Sequence, residues 1–152
     1  MSVAARLAAL GIVLPAPSVP LANYVPWVRT GVLVAVAGQI PLRDGELAYA
    51  GAVSDATLAD GVAAARLCFI NMLAQVQAAC EGDLDRVRQV VRLGGIIAAP
   101  AHFTQHQIVM NGASDLAVDV FGPAGRHART TVGAPSLPRN AMVEIDGWFE
   151  LA

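Results

Sequence analysis

Charge is what this sequence has least of. Only 14% of its 152 residues are charged, where an average globular domain carries ~25%. The net charge is −2 and the pI about 5.8, with no cluster of basic residues. Phosphate backbones demand several focused cations, so no nucleic-acid partner is expected. Cysteine is nearly absent too. Cys68 and Cys80 fall within one predicted helix, ~18 Å apart along its axis, too far for a disulfide. Two free thiols suit a reducing cytoplasm. Long apolar runs are also missing. The composition is 55% hydrophobic, but Arg, Asp, Gln, Gly or Pro interrupts each run before the ~20 residues of a spanning helix. No membrane partner and no signal peptide are expected.

The length fits one domain, residues 1–152, with its own core. Such an apolar chain with so little charge points to a subunit that buries part of its surface in an oligomer.

Residues 2–10 predict a short helix, capped by Ser2 and stopped at Gly11. Pro15, Pro17 and Pro20 then hold the chain extended. Residues 23–29 predict a first strand, with Pro26 placing it at an edge or bulge. Val32–Ala37 reads as a buried strand and Glu46–Ala50 as a short third one after the Asp44-Gly45 turn. Leu58, Val62, Ala65, Phe69, Met72, Val76 and Ala79 recur at three- and four-residue steps, predicting a helix from Ser54 or Asp55 to about Cys80. Val87–Ala99 predicts a long strand with a bulge at Gly94-Gly95. A second main helix runs from about Phe103 to Phe121, and strands follow at His127–Val132 and Ala141–Leu151. The class is therefore α+β, a mixed or mostly antiparallel sheet with both main helices on one face. In the last strand Met142, Glu144, Asp146 and Trp148 alternate with Val143, Ile145 and Phe149. Arg129 and Thr131 share a face of the preceding strand. An acid, an arginine and a tryptophan are thus expected to meet away from the helix-packed core, where a ligand or partner subunit would sit.

Three blocks in order carry a family resemblance. The first is Asn23-Tyr24-Val25-Pro26-Trp27-Val28-Arg29-Thr30-Gly31 with Val36-Ala37-Gly38-Gln39-Ile40-Pro41. The second is His127-Ala128-Arg129-Thr130-Thr131-Val132-Gly133. The third is Ser136-Leu137-Pro138 with Val143-Glu144-Ile145. Together they resemble the RidA/YjgF family, also labelled L-PSP endoribonuclease, from about Tyr24 to Phe149. The stretch Met110–Leu116 with Phe121-Gly122 resembles a divergent bacterial subgroup. The resemblance implies a chorismate-mutase-like fold and a homotrimer with clefts between subunits. It implies hydrolysis of reactive enamines and imines, such as 2-aminoacrylate, to ammonia and a 2-keto acid, with no cofactor. By position, Arg129 corresponds to the arginine that grips the substrate carboxylate and Glu144 to the acid that handles the water. Tyr24 and Gly38 correspond to cleft residues, and Asn111 to a polar helix residue beside the site. The chain departs from the family at Ala37, where many members have Ser, and at Thr131, where many have Cys; Thr131 keeps a hydrogen-bonding group and is expected among the substrate-binding residues.

From chemistry alone, Arg129 is either a bidentate clamp for a carboxylate or a structural ion-pair partner. Glu144 is either a proton shuttle with a raised pKa or a surface acid. His102 and His106 are four residues apart but lack the acidic or thiolate ligands that would complete a metal set, so no metal is expected. Cys68 and Cys80 read as small core hydrophobes. Trp27 and Trp148 suit core or interface equally. Binding of small carboxylates without turnover is the alternative to hydrolysis. Ribonuclease activity fits poorly with the acidic pI.

Overall fold

The computed structural model describes all 152 residues. A short helix α1 (Val3–Ala9) is capped by Ser2, whose hydroxyl accepts from the Ala5 amide at 3.2 Å. Gly11 ends the segment at φ +67°, a backbone that favours glycine. The proline-bearing stretch then runs without regular structure to β1 (Trp27–Thr30), which pairs antiparallel with β2 (Leu33–Gln39). The first strand starts later than the sequence suggests, because Pro26 has no N–H for the ladder. The expected strand Glu46–Ala50 shrinks to β4 (Glu46–Leu47), paired with β3 (Leu42–Arg43) across the Asp44-Gly45 turn. Both turn residues have positive φ, as tight hairpin turns require.

The main helices are α2 (Leu58–Ala79) and α3 (His106–Phe121). Between and after them come β5 (Val87–Ala98), β6 (Ala128–Ala134) and β7 (Val143–Leu151). The five-stranded sheet has the order β1-β2-β7-β5-β6. Only β5 and β6 are parallel, as the α3 crossover between them dictates. Both main helices pack on one face of this mixed sheet, around Phe69, Met72, Met110, Leu93, Ile145 and Phe149, all inaccessible to solvent. Gly112 allows the two helices to cross closely, since a Cβ there would strike the Val62 carbonyl. By length and composition α2 would pass as a bilayer-spanning helix, so run length alone does not settle that question. In the fold it is the core helix, with Ala64, Ala65, Cys68, Phe69, Met72, Leu73 and Val76 buried under its neighbours.

The irregularities of β5 lie between Val87 and Arg92, not at Gly94-Gly95. Those glycines make room instead. A Cβ on Gly94 would collide with the Asp146 carboxylate, and one on Gly95 with the Met110 sulfur.

Candidate functional site

Alternation along β7 buries Val143, Ile145, Phe149 and Leu151 and turns Glu144, Asp146 and Trp148 to the open face, as expected. Glu144 lines a cavity of about 670 Å³ with Tyr24, Ala37, Gly38 and Gln39 on one side and Ser18–Ala22 on the other. Gly38 leaves room for it, because a Cβ at that position would overlap Glu144 Oε1 and push the carboxyl aside. Glu144 has no ion-pair partner. Burial raises its carboxyl above the usual range, and the neighbouring Asp146 charge adds to the effect. Asp146 itself pairs with Arg92 at 3.6 Å.

Arg129 lies elsewhere. β6 pairs with β5 so that Arg129 stands beside Leu93, and Thr131 beside Gly95. Leu93 is fully buried under the helices, so its neighbour Arg129 also faces the helix layer. Glu144 pairs with Ile96, one step out of phase, and faces the other way. The expectation that acid, arginine and tryptophan meet on the open face is therefore corrected. Within one chain Arg129 and Glu144 occupy opposite faces of the sheet.

At the rim of the sheet Arg129 is held by α3. Its Nη1 donates to Asn111 Oδ1 at 2.9 Å and to Ser114 Oγ at 3.0 Å, and its Nη2 to the Gln107 carbonyl at 3.1 Å. All three acceptors are neutral. No carboxylate pairs with the guanidinium, and two of its five donors remain unused, one on Nη2 and one on Nε. That edge suits a carboxylate approaching side-on.

Ser114 and His127 extend this network, and neither was singled out for this role from the sequence. His127 Nδ1 lies 2.6 Å from the Gly125 carbonyl, and Nε2 lies 2.9 Å from Ser114 Oγ. A carbonyl can only accept, so Nδ1 carries the proton and Nε2 accepts from the Ser114 hydroxyl. The serine oxygen is thereby turned to receive the Arg129 N–H. Burial lowers the His127 pKa. The bond to Gly125 opposes that, and the Arg129 charge adds to the lowering.

Thr131, on the same face as Arg129, has a buried hydroxyl oxygen without any hydrogen-bond partner. Cys68 lies under β7 with its sulfur 3.4 Å from the Val143 carbonyl. Burial pushes both the Cys68 and Cys80 thiols up, away from the reactive thiolate form. His106 stacks edge-on against Phe103, and no three His, Cys, Asp or Glu side chains gather into a metal-binding set. The residues named from the sequence thus fall into two groups, Tyr24, Gly38 and Glu144 at the cavity, and Arg129, Asn111 and Thr131 at the rim. Arg139 also lines the cavity, on a loop where it and Asn140 both take positive φ.

Comparison with known proteins supplies the frame. The family model described as "YjgF/chorismate_mutase-like, putative endoribonuclease" matches residues 4–151. Protein TCP17 of Trypanosoma cruzi is 46% identical over 98% of this chain and 94% of its own length. Atu1372 from Agrobacterium tumefaciens, of unknown function, is 45% identical with a TM-score of 0.92, covering 99% of this chain and 92% of that one. A Shewanella oneidensis MR-1 structure carrying the same endoribonuclease description is 36% identical with a TM-score of 0.95, covering 99% and 100%. The trypanosome relative means that proteins this similar are not confined to bacteria. A family match over nearly the whole length, together with relatives this similar from end to end, establishes that the chain belongs to the YjgF/RidA family.

Proposed function

We propose that the protein hydrolyses reactive 2-imino acids and their enamine tautomers to 2-keto acids and ammonia, in a site completed when Arg129 of one copy faces Glu144 of another. The observation that carries this reading is the split of the two groups. Arg129 is fixed by neutral oxygens with a free donor edge, and Glu144 is an unpaired acid in a cavity on the opposite face. Val28, Val132 and Trp148 are exposed on that open face at 53%, 50% and 41%. Such an apolar surface favours cover by another subunit, in keeping with a homotrimer.

The chemistry needs no more than these groups. Arg129 holds the substrate carboxylate with two parallel hydrogen bonds. Glu144 takes a proton from water as the water oxygen bonds to the imine carbon, and passes it to nitrogen. The carbon–nitrogen bond of the resulting carbinolamine then breaks as its hydroxyl proton passes, again through Glu144, to the amine, so that a keto oxygen replaces the imine and ammonia leaves and takes a proton from solvent. A carboxyl raised toward neutral pH suits such a relay, and holding both reactants supplies part of the rate. The chain has no lysine, so direct attack by water replaces capture as a lysine Schiff base.

The test generates 2-iminopropionate or 2-iminobutyrate in situ and follows keto-acid release. Acceleration that vanishes in Arg129→Ala and in Glu144→Gln supports the reading. A folded oligomer without acceleration rejects it. Keto-acid binding that persists without turnover would instead identify a carboxylate-binding protein.

A further inference from the structure

The cavity beside Glu144 is larger than the smallest imino acids need. Its volume of about 670 Å³ falls in the ~300–1,000 Å³ range of pockets that enclose drug-sized ligands, and a three-carbon imino acid would fill only a corner of it. Its walls are mostly apolar, with Val19, Leu21, Tyr24, Pro26 and Leu42 facing the space and only Glu144 and Arg139 charged. Val19, Leu21 and Tyr24 are exposed at 79%, 71% and 51%. A chain does not gather large apolar side chains around an open space without cost, and such patches mark binding surfaces.

The walls are also pinned. Asn71 and Gln75 sit one turn apart on α2, and both are buried. Gln75 Nε2 donates to the Ser18 carbonyl at 2.8 Å. Asn71 Nδ2 donates to the carbonyls of Ile40 and Leu42, each at 3.0 Å. Two buried amides of one helix thus hold both walls, one from the segment before β1 and one from the chain after β2. The walls are thereby anchored to α2 at Ser18, Ile40 and Leu42.

We infer that this pocket receives the side chain of the substrate, and that the protein prefers 2-imino acids with a large apolar side chain, of leucine or phenylalanine size, over three- and four-carbon ones. The inference rests on the hydrolytic reading above for its reaction, but not for its binding arm. With Glu144 at the imine carbon, the side chain extends toward Leu21, Tyr24 and Leu42. An apolar pocket that encloses a larger side chain discriminates by about tenfold or more against a smaller one that leaves it unfilled.

Two measurements test it on the full-length protein. In the first, imino acids are generated from alanine, 2-aminobutyrate, leucine and phenylalanine, and kcat/KM is compared. The expected result is an advantage of at least about tenfold for the two larger substrates. Ala22→Phe and Ala37→Phe, which fill the pocket, should collapse that advantage. The ratio is read within one sample, so partial misfolding does not imitate the effect. In the second, calorimetry compares pyruvate with phenylpyruvate. Tighter binding of phenylpyruvate, lost in Ala37→Phe, supports the pocket even if no imino acid is hydrolysed, in which case the hydrolytic reading alone falls. Equal rates for small and large imino acids, or pyruvate binding as tightly as phenylpyruvate, overturns the inference.

Discussion

The rim that carries Arg129 and the cavity that carries Glu144 solve opposite electrostatic problems. At the rim a cation is spread over three neutral oxygens, one of them oriented by His127 through Ser114. Its charge is solvated by the protein but not cancelled, so it keeps its affinity for an anion. In the cavity an acid has no ion-pair partner, although Arg139 also lines the space, and burial works against its charge. Had the two side chains paired within one chain, each would have quenched the other. The arginine would lose its free edge and the carboxyl would fall to a low pKa. Placing them on opposite faces preserves both, on condition that a second copy brings them together around a substrate.

The largest expected effect breaks that separation directly. Arg129→Ala should lower kcat/KM by about a thousandfold, and Arg129→Lys should recover little, since an ammonium cannot reproduce the two-pronged grip. Glu144→Gln should cost ~10²–10⁴-fold, the range of a lost general acid–base. Each variant alone is then nearly inactive. Refolded together, they should regain about a quarter of wild-type activity, because random assembly pairs an intact arginine with an intact glutamate at that frequency in a site shared between copies. No recovery, with mixed oligomers confirmed by mass, would mean that the two groups do not form a site shared between copies and would break the comparison.

A smaller effect comes from the cavity side alone. Gly38→Ala puts a methyl group into the space of Glu144 Oε1, and a misplacement of about 1 Å costs roughly 10²-fold in rate. Rate should fall far more than melting temperature. The pH profile separates the halves further. The acid limb of kcat/KM reports Glu144 and should lie above its ordinary 4.5. A raised carboxyl contributes stability at low pH that is lost as pH rises through its folded-state value. Glu144→Gln should therefore melt higher than wild type at pH 8 and show no such gain near pH 4. His127 runs the other way. Its depressed pKa gives stability that is full above the ordinary imidazole value of 6.5 and declines as pH falls through the folded one. Thermal melts from pH 7 to 5 should show a decline that His127→Gln reduces.

The contrast also explains what the sequence revealed. β7 alternates strictly, so the face of Glu144 was readable from Val143, Ile145 and Phe149 alone. The apolar stripe of α2 was readable for the same reason. β6 reads Ala-Arg-Thr-Thr-Val-Gly-Ala, with polar residues on both faces, and its own pattern does not say which face is covered. That is decided by its register on β5, a pairing across the whole of α3 that brings Arg129 beside Leu93. A one-residue slip would turn every side chain over. The cavity wall was hidden differently. Ser18–Ala22 has no period of its own and is placed by Gln75, a polar residue inside an apolar helix. Ser114 on α3 and His127 just before β6 meet only through the turn after α3. The resemblance named Arg129 and Glu144 together, but only the register shows that they divide between the faces of the sheet.

Thr131 offers the smallest and cleanest measurement on the rim. Its hydroxyl oxygen is buried without a partner, and leaving such a group unmet costs ~1–3 kcal/mol. Val has nearly the same shape and no hydroxyl. Thr131→Val should therefore stabilise the fold by about 1 kcal/mol, read as a higher denaturation midpoint at unchanged slope. If that hydroxyl serves only as packing, kcat/KM should stay near wild type, and the rim's contribution to binding resides in Arg129 and its three acceptors. A stabilised variant whose activity falls tenfold or more would mean that the hydroxyl finds its missing partner in the bound substrate. The recognition surface of the rim would then extend along β6 from Arg129 to Thr131.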